Sequence, residues 1–244
     1  MKKNAQVTFM IAISVFIVVI ASFIFYVAYY FENKNLAEPL VFERLSIENY
    51  INGCVKKTAE DGLKLLGKQG GIILKEHLQT PNSGIDYYLY NNQSKIPSIE
   101  NIQDELSFYV KSNLDACLRD FEDFKRRQWN VEKGEIETKT QVNEQDVAFE
   151  VNFPLKITNQ GSTLNFERFV SKVNVRLKYI YDLANRTVNF NIKNPRSVDR
   201  TALSNYDVNV TVFPYEDSVV YVIDDSKSLI MNKAYRFMFA MGFE

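Results

Sequence analysis

Glycine, proline, histidine and cysteine are all scarce in this chain of 244 residues, which contains 9 Gly, 6 Pro, 1 His and 2 Cys. The low glycine and proline content excludes collagen-like and low-complexity structure, and 14% aromatic residues exclude an intrinsically disordered chain. The chain also carries almost no net charge, because it contains 29 Lys+Arg and 30 Asp+Glu. The chain therefore lacks the basic excess that is typical of nucleic-acid-binding proteins, and we expect no nucleic-acid partner.

The motifs that usually carry catalysis are missing as well. The sequence contains no phosphate-binding glycine loop, no G-x-S-x-G elbow and no calcium-loop pattern. The single histidine, His77, lies near a turn with no Ser or Cys motif around it, which favours an exposed or hydrogen-bonded loop residue. We therefore predict a protein that is not an enzyme, with no catalytic residue, no metal, no cofactor and no small-molecule substrate.

Acidic residues near the C-terminus are the remaining candidates for chemistry. Asp224 and Asp225 follow a strand-like run, and Glu216 and Asp217 lie in the turn before it. Adjacent carboxylates at a strand end can bind a divalent cation or share a proton. Aspartates are also common turn-formers, since their side chains accept hydrogen bonds from nearby backbone N–H groups, and we favour this second interpretation.

One long apolar run dominates the N-terminal part of the chain. Thr8 to Tyr30 contains no charged residue over 23 positions. As a helix this run would be roughly 34 Å long, enough for the ~30 Å hydrocarbon core of a bilayer. Lys2 and Lys3 precede it, and the positive-inside rule then places the N-terminus in the cytoplasm. The sequence thus predicts a single transmembrane helix in the cytoplasmic membrane, with the C-terminal part outside.

A cleavable secretory signal is the alternative for this run, but such a signal has a shorter apolar region followed by a small-residue cleavage site. The residues after Tyr30 read FENKNLAEP and contain no such site. We therefore predict an uncleaved signal-anchor. The expected divisions are a basic N-terminus at 1–7, the membrane helix at 8–30, a tether at 31–39 and an exterior domain at 40–244.

The segment KKNAQVTFMIAI at the N-terminus resembles the class III signal of archaeal type IV pilins. In that family a basic stretch and a small residue precede Gln-x-Ser/Thr and an apolar helix. The resemblance implies processing between Ala5 and Gln6, so that Gln6 and Thr8 fill the first and third mature positions. The family has Glu at the fifth mature position, where this chain has Met10. More broadly, the layout of an anchor, a helix INGCVKKTAEDGLKLLGKQGG and an aromatic C-terminal strand resembles single-span surface proteins of small-genome archaea.

Three segments of the exterior domain have helical spacing. Apolar residues recur every four positions from Ile47 to Leu63, and GKQGG at 67–71 should end that helix. A second helix should begin after Ser98, a favourable N-cap, and end at KRRQWN (125–130). A third is expected over 172–189, although its first residues also fit a strand.

The remaining exterior segments alternate with the period of β-strands. An antiparallel hairpin is expected over 136–155, with Pro154 placing its second strand, or at least the end of that strand, at a sheet edge. Further strands follow in the regions 163–170, 208–212, 219–224 and 235–243. We expect an α+β fold, with long helices packed on an antiparallel sheet. The helical part should occupy about 40–130 and the mainly β part about 131–244.

Cys54 and Cys117 are the only cysteines and lie on the two long predicted helices. In an oxidising exterior they would form one disulfide between these helices, and two reduced buried thiols are the alternative. The exterior part also contains three N-x-S/T sequons, at Asn92, Asn185 and Asn209. Each can accept a glycan in an exported protein if it is exposed, and Asn92 in a polar loop is the best candidate.

These features favour a membrane-anchored cell-envelope protein of structural or interaction type that displays an α+β domain. Its expected partners are the lipid bilayer and other envelope proteins or copies of itself. A type IV pilin-like subunit is the alternative. A membrane-anchored hydrolase is a third and less favoured hypothesis, because it would depend on acids such as Asp224.

Overall fold

The computed structural model describes residues 3–74, 78–81, 83–159 and 161–243, and within its first helix it describes side chains at 15–29 and from 43 onward. The chain divides into two compact units, Met1–Asn49 and Tyr50–Glu244, which we treat separately.

Helix α1 (Lys3–Gln69) is continuous and also contains the backbone of 31–39, where the sequence predicts a tether. It ends as predicted, where Gly70 and Gly71 adopt φ values of 91° and 108° and donate to the Leu66 carbonyl oxygen.

The first unit is a stretch of α1. Its described side chains include large apolar groups that are exposed on every side of the helix, from Val15 (59% exposed) to Tyr29 (69%). None of the helices, taken over the residues that the structure describes, has the length and apolarity that a membrane crossing requires.

The second unit contains two sheets rather than the single sheet that the sequence predicts. The first consists of β1 (Tyr87–Tyr90), β2 (Gln93–Ser94), β7 (Asn209–Pro214), β8 (Ser218–Ile230) and β9 (Lys233–Gly242). Its order is β2-β1-β9-β8-β7, and β1 runs parallel to β9 while the other neighbours are antiparallel. The last three strands confirm the predicted C-terminal β region.

The second sheet consists of β3 (Asn130–Lys133), β4 (Glu137–Val142), β5 (Val147–Asn159) and β6 (Ser162–Val173). The β4–β5 hairpin is confirmed, but the edge position predicted from Pro154 is wrong, because β5 is the central strand. Pro154 fits there because β4 pairs with β5 only up to Asn152 and β3 pairs only from Leu155. The β5–β6 register also shifts between Asn152 and Leu155, so the proline lies at a break in both ladders.

Over its described residues, the unit also contains four shorter α-helices: α2 (Ile99–Leu118), α3 (Glu122–Lys125), α4 (Leu177–Lys193) and α5 (Arg200–Ser204). Ser98 caps α2 as predicted, since its Oγ accepts from the backbone N–H of Asn101 over 3.1 Å. The predicted continuation of α2 to residue 125 is wrong, because three successive left-handed residues, Arg119 to Phe121, end it. The third predicted helix exists as α4 but begins five residues later, since 172–173 belong to β6.

Helix α2 covers the open edge of β4. The backbone N–H of Thr140 donates to Ser107 Oγ, and that of Val142 donates to Gln103 Oε1, each over 2.9 Å. Side chains of the helix thus satisfy edge N–H groups that could otherwise pair with another strand. This packing of helices on largely antiparallel sheets confirms the α+β class.

Candidate functional site

A groove of about 770 Å³ lies between the last turns of α1 and the β8–β9 hairpin in the second unit. Four basic side chains line it, and we call it the basic groove: Lys64, Lys68, Lys233 and Arg236. One acidic side chain, Asp224, shares the lining. The groove is therefore locally basic, although residues 31–244 carry only 27 basic against 30 acidic residues.

The four cations of the basic groove differ in their partners. Arg236 forms a two-pronged pair with Asp224, over 2.8 Å from Nε and 3.1 Å from Nη2. Lys64 lies 3.5 Å from Asp61. Lys68 and Lys233 form no ion pair with any residue that the structure describes. Two ammonium groups are thus available to an anion without breaking an existing pair.

Apolar side chains form the rest of the basic groove. Ile230 and Tyr235 are each 2% exposed, and Met231 at the hairpin turn is 49% exposed. Tyr235 Oη donates to the Leu63 carbonyl oxygen over 3.2 Å, and burial raises the pKa of this phenol far above its ordinary value. Tyr235 therefore stays neutral and is a packed wall residue of the groove rather than an acid or a base.

The β8–β9 turn at the rim of the groove has an uncommon backbone. Both central residues are left-handed, Met231 with φ 49° and Asn232 with φ 60°. This geometry gives the tight two-residue turn whose twist matches a hairpin, and Asn suits it well. A bulky apolar residue in this conformation is uncommon, and here it places a half-exposed thioether 3.1 Å from Lys64 Nζ.

A second charged cluster lies where the loop before α4 meets β8. Arg176 Nε and Nη2 donate to the two carboxylate oxygens of Asp225 over 3.0 and 2.6 Å. Ser228 Oγ donates to Asp225 over 2.5 Å and accepts from the backbone N–H of Arg176 over 2.9 Å. The register of β8 shifts between Asp225 and Leu229, and this bulge brings Ser228 to the carboxylate.

Asp225 is fully buried, whereas Arg176 is 13% exposed. Burial raises the pKa of Asp225, but hydrogen bonds from Arg176, Ser228 and the backbone N–H of Lys227 outweigh this and hold it below its ordinary value. Each carboxylate oxygen accepts two hydrogen bonds. This cluster therefore holds the start of α4 against β8. The Asp225 carboxylate has no oxygen left over for a metal ion or a substrate, because each oxygen already accepts two hydrogen bonds.

The acidic candidates from the sequence do not come together. Asp224 and Asp225 are adjacent on β8, so strand alternation points their side chains to opposite faces, and each pairs with a different arginine. Glu216 and Asp217 lie in the β7–β8 turn, where the Asp217 carbonyl oxygen accepts from Phe243 N. Among the described residues no group of three His, Cys, Asp or Glu side chains is placed to hold a metal ion.

The structure pairs Cys54 of α1 with Cys117 of α2 as a disulfide, with Cα atoms 5.6 Å apart. His77 lies outside the described residues. Ala5 and Gln6 lie within α1, at positions where the structure describes only the backbone.

The three sequons occupy different environments. Asn92 is exposed in the β1–β2 turn, and Asn209 is exposed at the start of the edge strand β7. Asn185 lies within α4, where Thr187 of the same sequon is buried and donates to the Leu183 carbonyl oxygen. The structure thus leaves Asn92 and Asn209 exposed, whereas Asn185 is half-buried on a helix and the threonine of its sequon is buried.

Sequence reasoning missed the basic groove and the Arg176 cluster. Lys64 and Lys68 are four residues apart on a predicted helix, which places them on one face. Nothing local indicated that β9, more than 160 residues later, would bring Lys233 and Arg236 to that face. Comparisons with protein-family models, with curated proteins and with solved structures give no match to this chain.

Proposed function

We propose that this chain is a single-span, membrane-anchored cell-envelope protein of structural or interaction type. Residues 8–30 would cross the cytoplasmic membrane, and residues 40–244 would form an α+β domain outside it. The observation that carries this proposal is the apolar surface of α1 between Val15 and Tyr29, which is exposed around the whole helix.

Such a surface requires an apolar environment. Exposed apolar patches on soluble proteins usually face one direction and pack against a partner, whereas a helix that is apolar all round belongs in lipid or inside a bundle. The run in the sequence extends this surface to 8–30, beyond the fifteen residues whose side chains the structure describes. Its length matches the hydrocarbon core of a bilayer.

Two further features support the orientation. Lys2 and Lys3 precede the run, as expected for a cytoplasmic N-terminus. The Cys54–Cys117 disulfide in the second unit suits an oxidising compartment, where such bonds persist. Both features are consistent with export of the second unit.

Membrane extraction with alkaline carbonate tests the anchor. The full chain should stay in the membrane fraction, and Val19→Arg with Ile20→Arg should release it, because each arginine at the centre of a span costs about 3 kcal/mol. Leu45→Arg is the matched control, since Leu45 is an exposed apolar residue of α1 outside the run, and it should stay in the membrane fraction. A wild-type chain that carbonate extracts, or that is monodisperse without detergent, contradicts the proposal.

Labelling of intact cells with a membrane-impermeant lysine reagent tests the orientation. Exposed lysines of the second unit, such as Lys111 and Lys139, should be modified on whole cells. Lys2 and Lys3 should react only after lysis. The opposite pattern would reverse the proposed topology and leave the anchor itself intact.

A pilin-like subunit is the second candidate, and the continuity of α1 from Lys3 to Gln69 favours it. Copies of this helix packed side by side would cover the exposed apolar surface as well as lipid does. N-terminal sequencing decides between the candidates. A mature chain that begins at Gln6 and is present in isolated filaments supports the pilin-like subunit, and an intact N-terminus supports the anchor.

A further inference from the structure

We propose that the basic groove is a binding site for a small amphiphilic anion, meaning a phosphate, sulfate or carboxylate carried on an apolar body. The proposal concerns the second unit alone. It therefore stands or falls independently of the membrane anchor.

The charge of the groove selects an anion. Lys68 and Lys233 have no ion-pair partner among the described residues, and Lys64 and Arg236 add positive charge although each has a partner. Like charges that converge in a concave site repel one another, and a bound anion relieves that repulsion. This local excess of positive charge stands against the weakly acidic composition of 31–244.

The apolar part of the groove selects a ligand with more than a charge. Met231, which is 49% exposed, presents apolar surface beside the ammonium groups, and the nearly buried Ile230 and Tyr235 line the groove with it. A bare inorganic anion gains nothing from that surface, whereas each CH₂ group that a ligand buries there strengthens binding about fourfold. A volume of about 770 Å³ falls within the range of small-molecule sites.

The turn between β8 and β9 also favours an apolar ligand, through the residue at its centre. Met231 adopts a left-handed backbone conformation, which a bulky residue adopts only at a cost, and its side chain remains half exposed at the rim. Glycine or asparagine at this position would make the same turn without that cost. A flexible, polarisable thioether at this place is suited to an irregular apolar ligand.

Isothermal titration of the full chain in nanodiscs of zwitterionic lipid, with empty nanodiscs as the blank, tests the proposal. The probes are hexyl phosphate, inorganic phosphate, hexanol and a tetra-aspartate peptide. Hexyl phosphate should bind at least about tenfold more tightly than each of the other three, because it alone satisfies both parts of the groove. Its affinity should also fall as salt is raised, since the cations are partly exposed.

Substitutions identify the site. Lys68→Gln with Lys233→Gln should weaken hexyl phosphate binding about tenfold without lowering the unfolding temperature, since neither lysine is paired. Lys57→Gln with Lys139→Gln is the matched control, because these are also exposed and unpaired lysines of α1 and a strand, and it should bind like the wild type.

Four results would overturn the proposal. Equal binding by the two double variants would place the ligand elsewhere, and equal affinity for inorganic phosphate would remove the apolar requirement. Tighter binding of tetra-aspartate than of hexyl phosphate would assign the groove to an acidic chain. The salt series on the wild type needs no variant, and an affinity that is independent of salt would also contradict the proposal.

Discussion

Two adjacent aspartates show how strongly position decides the role of a residue in this protein. Asp224 lies on the partly exposed face of β8 and pairs with Arg236, whose side chain is 58% exposed. Asp225 lies on the buried face and pairs with Arg176. Identical side chains one residue apart should therefore differ greatly in their contribution to stability.

Replacing each arginine measures this difference. Arg176→Met should lower the free energy of unfolding by about 3 kcal/mol, because it leaves a buried carboxylate without its cation. Arg236→Gln should lower it by less than about 1 kcal/mol, because water compensates the exposed partner. Urea unfolding of the two variants in the same detergent gives both values. Equal losses would mean that Asp225 is not buried as the structure has it.

The Asp225 pair also predicts how stability depends on pH. The pKa of Asp225 is lower in the folded protein than in the unfolded chain. Ionised Asp225 therefore makes its full contribution to the free energy of unfolding above the unfolded-chain pKa of about 3.9. That contribution is lost as the pH falls through the pKa of the folded protein. Below pH 4, the free energy of unfolding should consequently fall more steeply with decreasing pH in the wild type than in Asp225→Asn, as urea unfolding at a series of pH values would measure.

At the scale of the elements, local patterns predicted the type of most helices and strands but not their ends. The apolar spacing through Cys117 and Phe121 fits a helix, yet α2 ends at Leu118. The left-handed turn that follows directs Phe121 into the core, where its side chain is 1% exposed. The centroids of the Phe121 and Phe153 rings lie 6.4 Å apart. Packing against β5 thus overrides a helical pattern that the sequence alone would continue.

Two glycines of α1 test how closely this helix approaches β9. A Cβ added at Gly67 would lie 2.2 Å from the Arg236 carbonyl oxygen, whereas one added at Gly53 meets nothing within 4 Å. Gly67→Ala should therefore destabilise the protein by about 1–3 kcal/mol, because a backbone atom cannot give way cheaply. Gly53→Ala should stabilise it by up to about 1 kcal/mol through helix propensity. A stabilising Gly67→Ala would contradict the close approach.

At the scale of the whole molecule, the disulfide between α1 and α2 joins two cysteines, Cys54 and Cys117, that are 63 positions apart in the chain. Such a bond acts mainly on the unfolded chain, whose loop-closure entropy it removes. Cys54→Ser with Cys117→Ser should lower the free energy of unfolding by about 2–4 kcal/mol. Reductant should destabilise the wild type by a similar amount and leave the double variant unchanged. Two alkylated thiols in the intact mass of the untreated protein would show that the bond does not form.

The sequence by itself determined the features that depend on near neighbours. These are the apolar run at 8–30, the Ser98 cap, the Gly70–Gly71 stop and the alternation of the β4–β5 hairpin, each of which is read within a few residues. Cys54 and Cys117 could be paired only because no other cysteine competes.

The tertiary structure alone decided the rest. It set the parallel β1–β9 pairing, the central place of β5, the Arg176–Asp225 pair across 49 positions and the Tyr235–Leu63 contact across 172. The basic groove exists because α1 and the β8–β9 hairpin pack together. Contacts at such separations follow from how complete elements bury their apolar faces, and no local pattern of residues records that outcome.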